Sequence, residues 1–254
     1  MDIKYFENRN DIEEKYTWNL EKIYGSLEEF EKDFEKVKEF SKKILEYKGK
    51  LNDSNTVLNL FKDLEFVFRT IMKLMNYAHM KKDQDGSVTM YQGIQTRIEQ
   101  FYYQFSAESS FIDTELISKD ENFLNSLVND EKLKEFKFKI QGLIRSKEHI
   151  LSEEAEMILS MFGSSMDAPY NIAGIFKNVD LKFPKIINED NKEVQLNEGN
   201  YGVFLSSKDR SVRKDAYEKL FSSYKDYKNT LATCLSTSIT NDVLYSRAKK
   251  FNSS

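Results

Sequence analysis

Apolar side chains recur every three or four positions along most of this chain, which is the spacing of one face of an α-helix. The first long run begins after Ser26, and Glu29 follows three residues later, a pair that predicts a helix start with reciprocal side-chain hydrogen bonds. Gly49 is expected to end that helix, because glycine readily adopts the left-handed conformation common there. A second run begins near Ser54 and should end before Asp83.

The same period continues through the middle of the chain in shorter runs. Ser87 is expected to start a third helix that is antiparallel to the second, because their connection is short. Residues 117–147 predict two shorter helices, and Ser152 is expected to cap the next one, which should stop at Gly163. Pro169 is expected at the first position of a further helix, where its fixed φ is tolerated.

One segment departs from helical spacing. Residues 179–186 and 192–196 alternate apolar and polar side chains on either side of a polar turn, which indicates a β-hairpin. Pro184 restricts the first run to the edge of a sheet, because proline has no N–H to donate. Helical spacing resumes at Gly199 and continues to Ala248.

These patterns predict a mainly α protein, an elongated antiparallel helical bundle with one small β-hairpin near residues 179–196. We expect a first helical region at 1–114, a second helical region with the hairpin at 115–198, and a third region at 199–254. Composition agrees, because residues 1–168 contain no proline. Proline in a helix interior costs roughly 3 kcal/mol, so its absence over this length is typical of a helical protein.

Charge and cysteine content exclude several classes of protein. The single cysteine cannot form an internal disulfide, and a net charge of -4 with both signs interspersed argues against nucleic-acid binding. No apolar run approaches the roughly 18 residues that span a bilayer. Acidic residues near the N-terminus stand where a signal peptide needs basic ones. We therefore expect a soluble, cytoplasmic protein without nucleic-acid or membrane partners.

Residues with catalytic or metal-binding chemistry are few. His79 and His149 each lack an acidic neighbour at the spacing of a helical ligand set, so structural hydrogen bonding is favoured over metal ligation. Cys234 has no local base and is expected to be a small buried thiol. Paired carboxylates suit helix starts, where the helix dipole favours them: Glu13 and Glu14, Glu28 and Glu29, Glu153 and Glu154. The residues alone predict no catalytic group and no metal ligand.

Short motifs nevertheless follow one another in the order of a known family. They are Tyr16-Thr-Trp-Asn-Leu with Ile23-Tyr24, Tyr47-Lys-Gly-Lys-Leu, His149-Ile-Leu-Ser-Glu-Glu-Ala-Glu, Asp180-Leu-Lys-Phe-Pro, Gly199-Asn-Tyr, Asp209-Arg-Ser-Val-Arg-Lys-Asp-Ala-Tyr, Tyr227-Lys-Asn-Thr-Leu-Ala and Tyr245-Ser-Arg-Ala. Together they cover nearly the whole chain. The set resembles oligoendopeptidase F, a helical zinc metallopeptidase of the thimet-oligopeptidase-like clan, in its N-terminal portion only.

The resemblance implies a long, mostly helical zinc metalloendopeptidase whose two halves flank a deep channel for short peptides. In that family a His-Glu-x-x-His motif and a downstream Glu hold zinc, and the motif Glu is general base for the attacking water. These residues are absent from the 254 here, so no catalytic or zinc residue can be assigned. The resemblance implies zinc in the full-length enzyme, none bound by this chain, no activity alone, and at 199–254 the first helices of a truncated catalytic domain.

The expected partners are short peptides, the missing C-terminal catalytic half and, through exposed apolar surface, further copies of the chain. An edge strand around Asp180 to Ile187 could pair with an extended peptide, which makes Asp180, Leu181, Lys182 and Phe183 the candidate substrate-binding residues. Alternatively, the hairpin serves only to pack the two halves together. A non-catalytic helical scaffold or a peptide-binding module is the alternative for the chain as a whole.

Overall fold

The computed structural model describes residues 11–254. It is mainly helical with one antiparallel pair of strands, which confirms the predicted fold class. The helices are α1 (Leu27–Leu45), α2 (Ser54–Gln84), α3 (Thr89–Glu108), α4 (Phe111–Ile117), α5 (Glu121–Asn129), α6 (Lys137–Arg145), α7 (Glu153–Met161), α8 (Gly163–Met166), α9 (Ala168–Ile175), α10 (Glu198–Leu205), α11 (Arg210–Asp226) and α12 (Lys228–Ala248), and the strands are β1 (Lys185–Ile187) and β2 (Glu193–Gln195).

Between residues 11 and 254, no helix is both long and apolar enough to cross a membrane. Part of the acidic N-terminal stretch that argues against a signal peptide falls in residues 1–10, outside the described residues.

The chain divides into two compact units. The larger unit comprises residues 19–167 and 240–254, and the smaller unit comprises 168–239 with the described residues before Asn19. Helix α12 contributes residues 228–239 to the smaller unit and 240–248 to the larger one.

Helices α1, α2 and α3 form most of the core of the larger unit. Their apolar residues at helical spacing are buried together, including Phe30 and Phe34 of α1 and Ile71 of α2. Tyr24 meets the ring of Tyr77 edge-on, with centroids 5.2 Å apart and planes at 82°. Burying one large apolar side chain contributes roughly 1.5–3 kcal/mol, so this continuous cluster is the main stabilising feature of the unit.

The start and end of α1 follow the local sequence. Ser26 Oγ accepts a hydrogen bond from the Glu29 N–H, and Glu29 Oε2 accepts one from the Gly25 N–H at 2.9 Å. The Ser26 cap is therefore as predicted, but the return bond from Glu29 goes to the Gly25 N–H and not to that of Ser26. After α1 ends at Leu45, Gly49 turns the chain with a φ of +76°. The Glu115 carboxylate holds this turn by accepting from the Gly49 and Leu51 N–H groups.

One predicted helix start is confirmed, and two others shift by one or two residues. Asp53 caps α2 by accepting from the Thr56 N–H, so Ser54 is the first helical residue. Ser87 donates to the Asp85 carboxylate in the preceding turn, and α3 begins at Thr89. Pro169 is the second residue of α9 and not its first. Such shifts arise because several neighbouring side chains can serve as caps.

The hairpin packs on α10 and α11 in the smaller unit. In β1 and β2, Ile186 lies opposite Val194. Ile186 and Leu196 are buried with Phe204 of α10 and with residues of α11: Val212, Ala216 and Leu220. Asn197 starts α10 with a capping box that it shares with Asn200. A two-stranded sheet is marginal in water by itself, so the two helices supply its stability.

The first strand is shorter than the alternating sequence predicts. Residues 176–180 form a π-helical turn that continues α9, and β1 begins only at Lys185, directly after Pro184. Residues 181–184 form an extended connection whose apolar side chains turn inward. Leu181 is buried and Phe183 is partly buried, as in a strand, but the backbone is not paired.

Candidate functional site

The four candidate peptide-contacting residues lie in the connection between the π-helical turn and β1. The Asp180 side chain is exposed at the end of that turn, and Lys182 Nζ donates to the carbonyl of Val179 at 2.7 Å. Leu181 is buried, and the ring of Phe183 meets the ring of Tyr224 of α11 edge-on, with centroids 5.7 Å apart.

The backbone of this connection is also partly occupied. The Leu181 N–H donates to the carbonyl of Phe176, and the carbonyl of Phe183 accepts from the Gln195 side-chain amide. The four residues form one segment, but the side chains of Leu181 and Phe183 and two backbone groups of this segment are used for internal contacts. Their role in substrate binding stays a prediction.

The hairpin edge offers few backbone groups for a peptide strand. The Asn188 N–H donates to the Lys192 carbonyl, so with the observed register the backbone groups of Lys185, Ile187, Glu193 and Gln195 point away from the partner strand. At the base of the hairpin two outward carbonyls are already bonded: Lys219 Nζ donates to that of Lys185, and the Asn200 amide donates to that of Gln195. Ile187 and Glu193, near the tip, keep both outward backbone groups, whereas the bonded carbonyls leave Lys185 and Gln195 only their N–H groups. This reduced edge favours the packing role of the hairpin.

His79 lies on α2 and contacts α3. Its Nε2–H donates to Glu99 Oε1 over 3.0 Å, and the Gln95 amide donates to the same oxygen over 2.6 Å. The two donors, with that from His79 the more important, hold the pKa of Glu99 below its usual range. This arrangement agrees with the structural reading of His79.

His149 makes a long-range hydrogen bond and not one to the nearby N-cap at Ser152: its Nδ1–H donates to the carbonyl of Lys249 at 2.9 Å. Its ring also stacks on Phe251, with centroids 3.8 Å apart. The Leu151 N–H near the cap is instead satisfied by the Glu156 carboxylate.

Cys234 lies on α12 and is partly exposed, so the expectation of a buried thiol is wrong. The paired carboxylates have structural partners on the surface. Glu29 caps Gly25, Glu153 pairs with Lys48, and Glu13 pairs with Lys15.

The described part of the chain contains no group of three or more His, Cys, Asp and Glu side chains that could hold a metal ion. The residues present there do not fit a catalytic zinc, and we assign no reaction step to them.

Helix α12 is the most unusual surface of the chain. It has 21 residues, yet none is buried. Leu231, Leu235, Ile239 and Val243 recur every four residues, which places them along one ridge of the helix. Within this ridge Leu235 is 64% exposed and Ile239 is 53% exposed. Exposed apolar rows of this kind mark interaction surfaces.

Sequence reasoning missed a cleft in the larger unit. Asp113 and Lys139 line it together with residues of the chain end. The lining comes from separate segments of the chain, and no spacing rule connects these segments before the fold is known.

Comparison with known proteins identifies relatives that are described as oligopeptidases or oligoendopeptidases. The family model described as Oligopeptidase F matches residues 115–183. Oligopeptidase PepF of Bacillus subtilis (strain 168) is 34% identical over 250 residues, which are 97% of this chain and 37% of the relative. The chromosomal oligoendopeptidase F of Lactococcus lactis subsp. cremoris is 34% identical over 237 residues, 92% of this chain and 39% of the relative.

The fold agrees as well. The crystal structure of oligoendopeptidase-F from Enterococcus faecium superposes with a TM-score of 0.84 at 30% identity, and the match covers 89% of this chain and 44% of that one. The chain therefore spans less than half the length of the relatives it matches.

Proposed function

The chain is a homologue of the oligopeptidase F family that covers the N-terminal portion of its relatives, and on this premise we propose that it forms one wall of the substrate channel in a zinc-dependent oligoendopeptidase for short peptides. The observation that carries the proposal is the TM-score of 0.84 with the Enterococcus faecium oligoendopeptidase-F over 89% of this chain. In this proposal the protein works in the cytoplasm.

Catalysis in this proposal depends on residues outside the present sequence. The 254 residues include two histidines, at 79 and 149, and each makes a hydrogen bond inside the larger unit. The family's zinc set needs two histidines one helical turn apart, and a spacing of 70 residues does not supply them. The chain alone is therefore proposed to be inactive, and zinc is proposed to bind in the complementary C-terminal half.

The ridge on α12 supports a role for that half as partner. A helix without buried residues gains little stability from packing, because most helix stability in proteins comes from burying one face. Leu235 and Ile239 of this ridge are more than half exposed in the described chain, and Leu231 is only partly covered. We propose that the C-terminal catalytic half covers the ridge.

A second candidate function is peptide binding without chemistry. The outward backbone groups of Ile187 and Glu193 favour it, because a strand edge can pair with an extended peptide. Each edge has one residue with both outward backbone groups free, which supports only short pairing, so this candidate is the weaker one.

Peptide cleavage tests the proposal. The 254-residue chain is assayed with internally quenched short peptides and added zinc, alone and mixed with the C-terminal remainder of Bacillus subtilis oligopeptidase PepF. We expect turnover only in the mixture. Turnover by the chain alone, abolished by a chelator, would overturn the claim of inactivity, whereas peptide binding without turnover in either sample would favour the second candidate.

A further inference from the structure

A cleft of about 400 Å³ opens in the larger unit. Phe61 of α2, Asp113 of α4 and Lys139 of α6 line it, together with the turn at 146–150 and the end of the chain: Leu143, Ser146, His149, Ile150, Tyr245, Lys249 and Phe251. Cavities of this size are typical of small-molecule sites, which combine apolar walls with a few placed polar groups.

Two oppositely charged side chains, those of Asp113 and Lys139, line the cleft without forming an ion pair. Within residues 11–254, no carboxylate oxygen lies within 4.0 Å of Lys139 Nζ, and Asp113 has neither an ion pair nor a hydrogen bond. The Lys139 ammonium instead lies over the ring of Phe61, 4.6 Å from its centroid. Each group thus retains capacity for a ligand of opposite charge.

Nearby protein atoms disfavour the charged forms of Asp113 and Lys139 while these groups have no ion-pair partner. Solvent reaches both side chains at the mouth of the cleft, but protein atoms crowd them, and this desolvation raises the pKa of Asp113 and lowers the pKa of Lys139. Desolvation acts against the charged form of each group. A ligand that brings the complementary charge to each group would relieve both penalties.

The other charged groups near the cleft are already satisfied. Lys249 and Glu156 form an ion pair with each other, and both side chains are largely buried. His149 donates to the Lys249 carbonyl. The charges of Asp113, Lys139, Glu156 and Lys249 sum to zero. An anion bound in the cleft would be repelled by Asp113, and a cation bound there would be repelled by Lys139.

Apolar surface completes the cleft. Its apolar lining comes from separate elements: Phe61 from α2, Leu143 from α6, Ile150 from the turn and Phe251 from the chain end. Such a lining suits an aliphatic side chain between two charged ends. Burying an aliphatic side chain of leucine size contributes roughly 1.5–3 kcal/mol.

We propose that this cleft binds a small zwitterion with an aliphatic side chain, a free amino acid or a dipeptide, whose ammonium pairs with Asp113 and whose carboxylate pairs with Lys139. The site is distinct from peptide hydrolysis and does not depend on the proposed function. It recognises the two free ends of a molecule, which an internal segment of a longer peptide does not offer.

Isothermal titration calorimetry of the 254-residue chain tests the site with leucine and leucyl-leucine as probes. We expect saturable binding in the millimolar range or tighter, and the tighter of the two probes distinguishes an amino-acid site from a dipeptide site. N-acetylation of that probe removes its ammonium, and C-terminal amidation removes its carboxylate. Each blocked form should bind roughly ten- to a hundredfold more weakly, because each loses a charge-assisted hydrogen bond.

Two variants connect the ligand groups to the protein groups. Asp113→Asn should weaken binding of the zwitterion by a similar factor, and it should then bind the free and the N-acetylated probe equally well. Lys139→Met should also weaken binding of the zwitterion, and it should then bind the free and the amidated probe equally well. Lys137→Met on the same helix and Asp190→Asn in the hairpin turn carry the same charge changes at exposed positions, and they should leave binding unchanged.

The proposal is overturned by any of three results. These are no binding of either zwitterion up to its solubility, equal binding of the blocked and free forms, or unchanged affinity in both Asp113→Asn and Lys139→Met. Circular dichroism of each variant shows that it is folded, and because both side chains are exposed at the cleft mouth we expect native spectra.

Discussion

His149 Nδ1–H donates a hydrogen bond of 2.9 Å to the carbonyl of Lys249, which lies 100 positions later in the chain. The imidazole also stacks on Phe251 with planes 16° apart. This side chain, together with the ion pair between Lys249 and Glu156, holds the residues that follow α12 against α7 and the turn before it.

We expect His149→Ala to lower the free energy of unfolding by about 1–2 kcal/mol, because it removes both the hydrogen bond and the ring contact. Urea unfolding followed by circular dichroism measures the change. Lys147→Ala in the same turn is the control, and it should alter stability by less than about 0.5 kcal/mol because the side chain is exposed. Equal effects of the two variants would contradict the role of His149.

Gly163 should not tolerate alanine. A Cβ there would lie 2.5 Å from the ring of Tyr103, whose hydroxyl donates to Asp167 and so restrains the ring. We expect Gly163→Ala to destabilise the chain by about 1–3 kcal/mol, as overpacking does. Gly174→Ala, in α9, is the matched control: its Cβ would meet no atom within 4 Å, and we expect unchanged or slightly increased stability.

The same steric account has an internal check. In a Tyr103→Ala background the ring is gone, so Gly163→Ala should no longer destabilise the chain. A penalty of the same size in both backgrounds, measured by urea unfolding, would show that the ring is not its cause.

The contact between His79 and Glu99 predicts an acid-dependent loss of stability. The folded pKa of Glu99 lies below its unfolded value, so the carboxylate contributes stability above the unfolded pKa of about 4.3 and loses it as the pH falls through the folded pKa. Glu99→Gln should therefore show a shallower decline in unfolding free energy than the wild type as the pH falls below about 5. Parallel pH profiles of the two proteins would contradict this contribution.

Local signals account for most of what the sequence predicted about the fold. Ser26 and Ser152 cap their helices because a cap depends only on the next three residues, and both are in place. The start of β1 was misplaced because Val179 to Phe183 alternate in burial without pairing, and alternation reports burial rather than hydrogen bonding.

Longer-range features were beyond the sequence. The Asp113 and Lys139 cleft depends on α4, α6 and the chain end meeting, and nothing local specifies that meeting. The exposure of Cys234 depends on whether another element covers α12. The apolar residues of α12 recur at helical spacing and so predicted a buried helix, but no residue of this helix is buried in the described chain.

The α12 ridge predicts concentration-dependent self-association of this chain. Leu235→Glu/Ile239→Glu should shift the protein toward monomer in sedimentation velocity while leaving its unfolding free energy nearly unchanged, because both side chains are more than half exposed. Thr233→Glu/Thr237→Glu adds the same charges at the same spacing on the opposite side of α12 and should not change association. A wild-type chain that stays monomeric at all concentrations would contradict the prediction.

The most direct test of the central claim is a titration of this chain into a fixed amount of the C-terminal remainder of Bacillus subtilis oligopeptidase PepF, with zinc present and peptide cleavage as the readout. The account predicts no turnover by either part alone, turnover that saturates as a one-to-one complex forms, and a much weaker response with Leu235→Glu/Ile239→Glu than with Thr233→Glu/Thr237→Glu. Turnover by the 254-residue chain alone, or saturation that is equal for the two double variants, would contradict it.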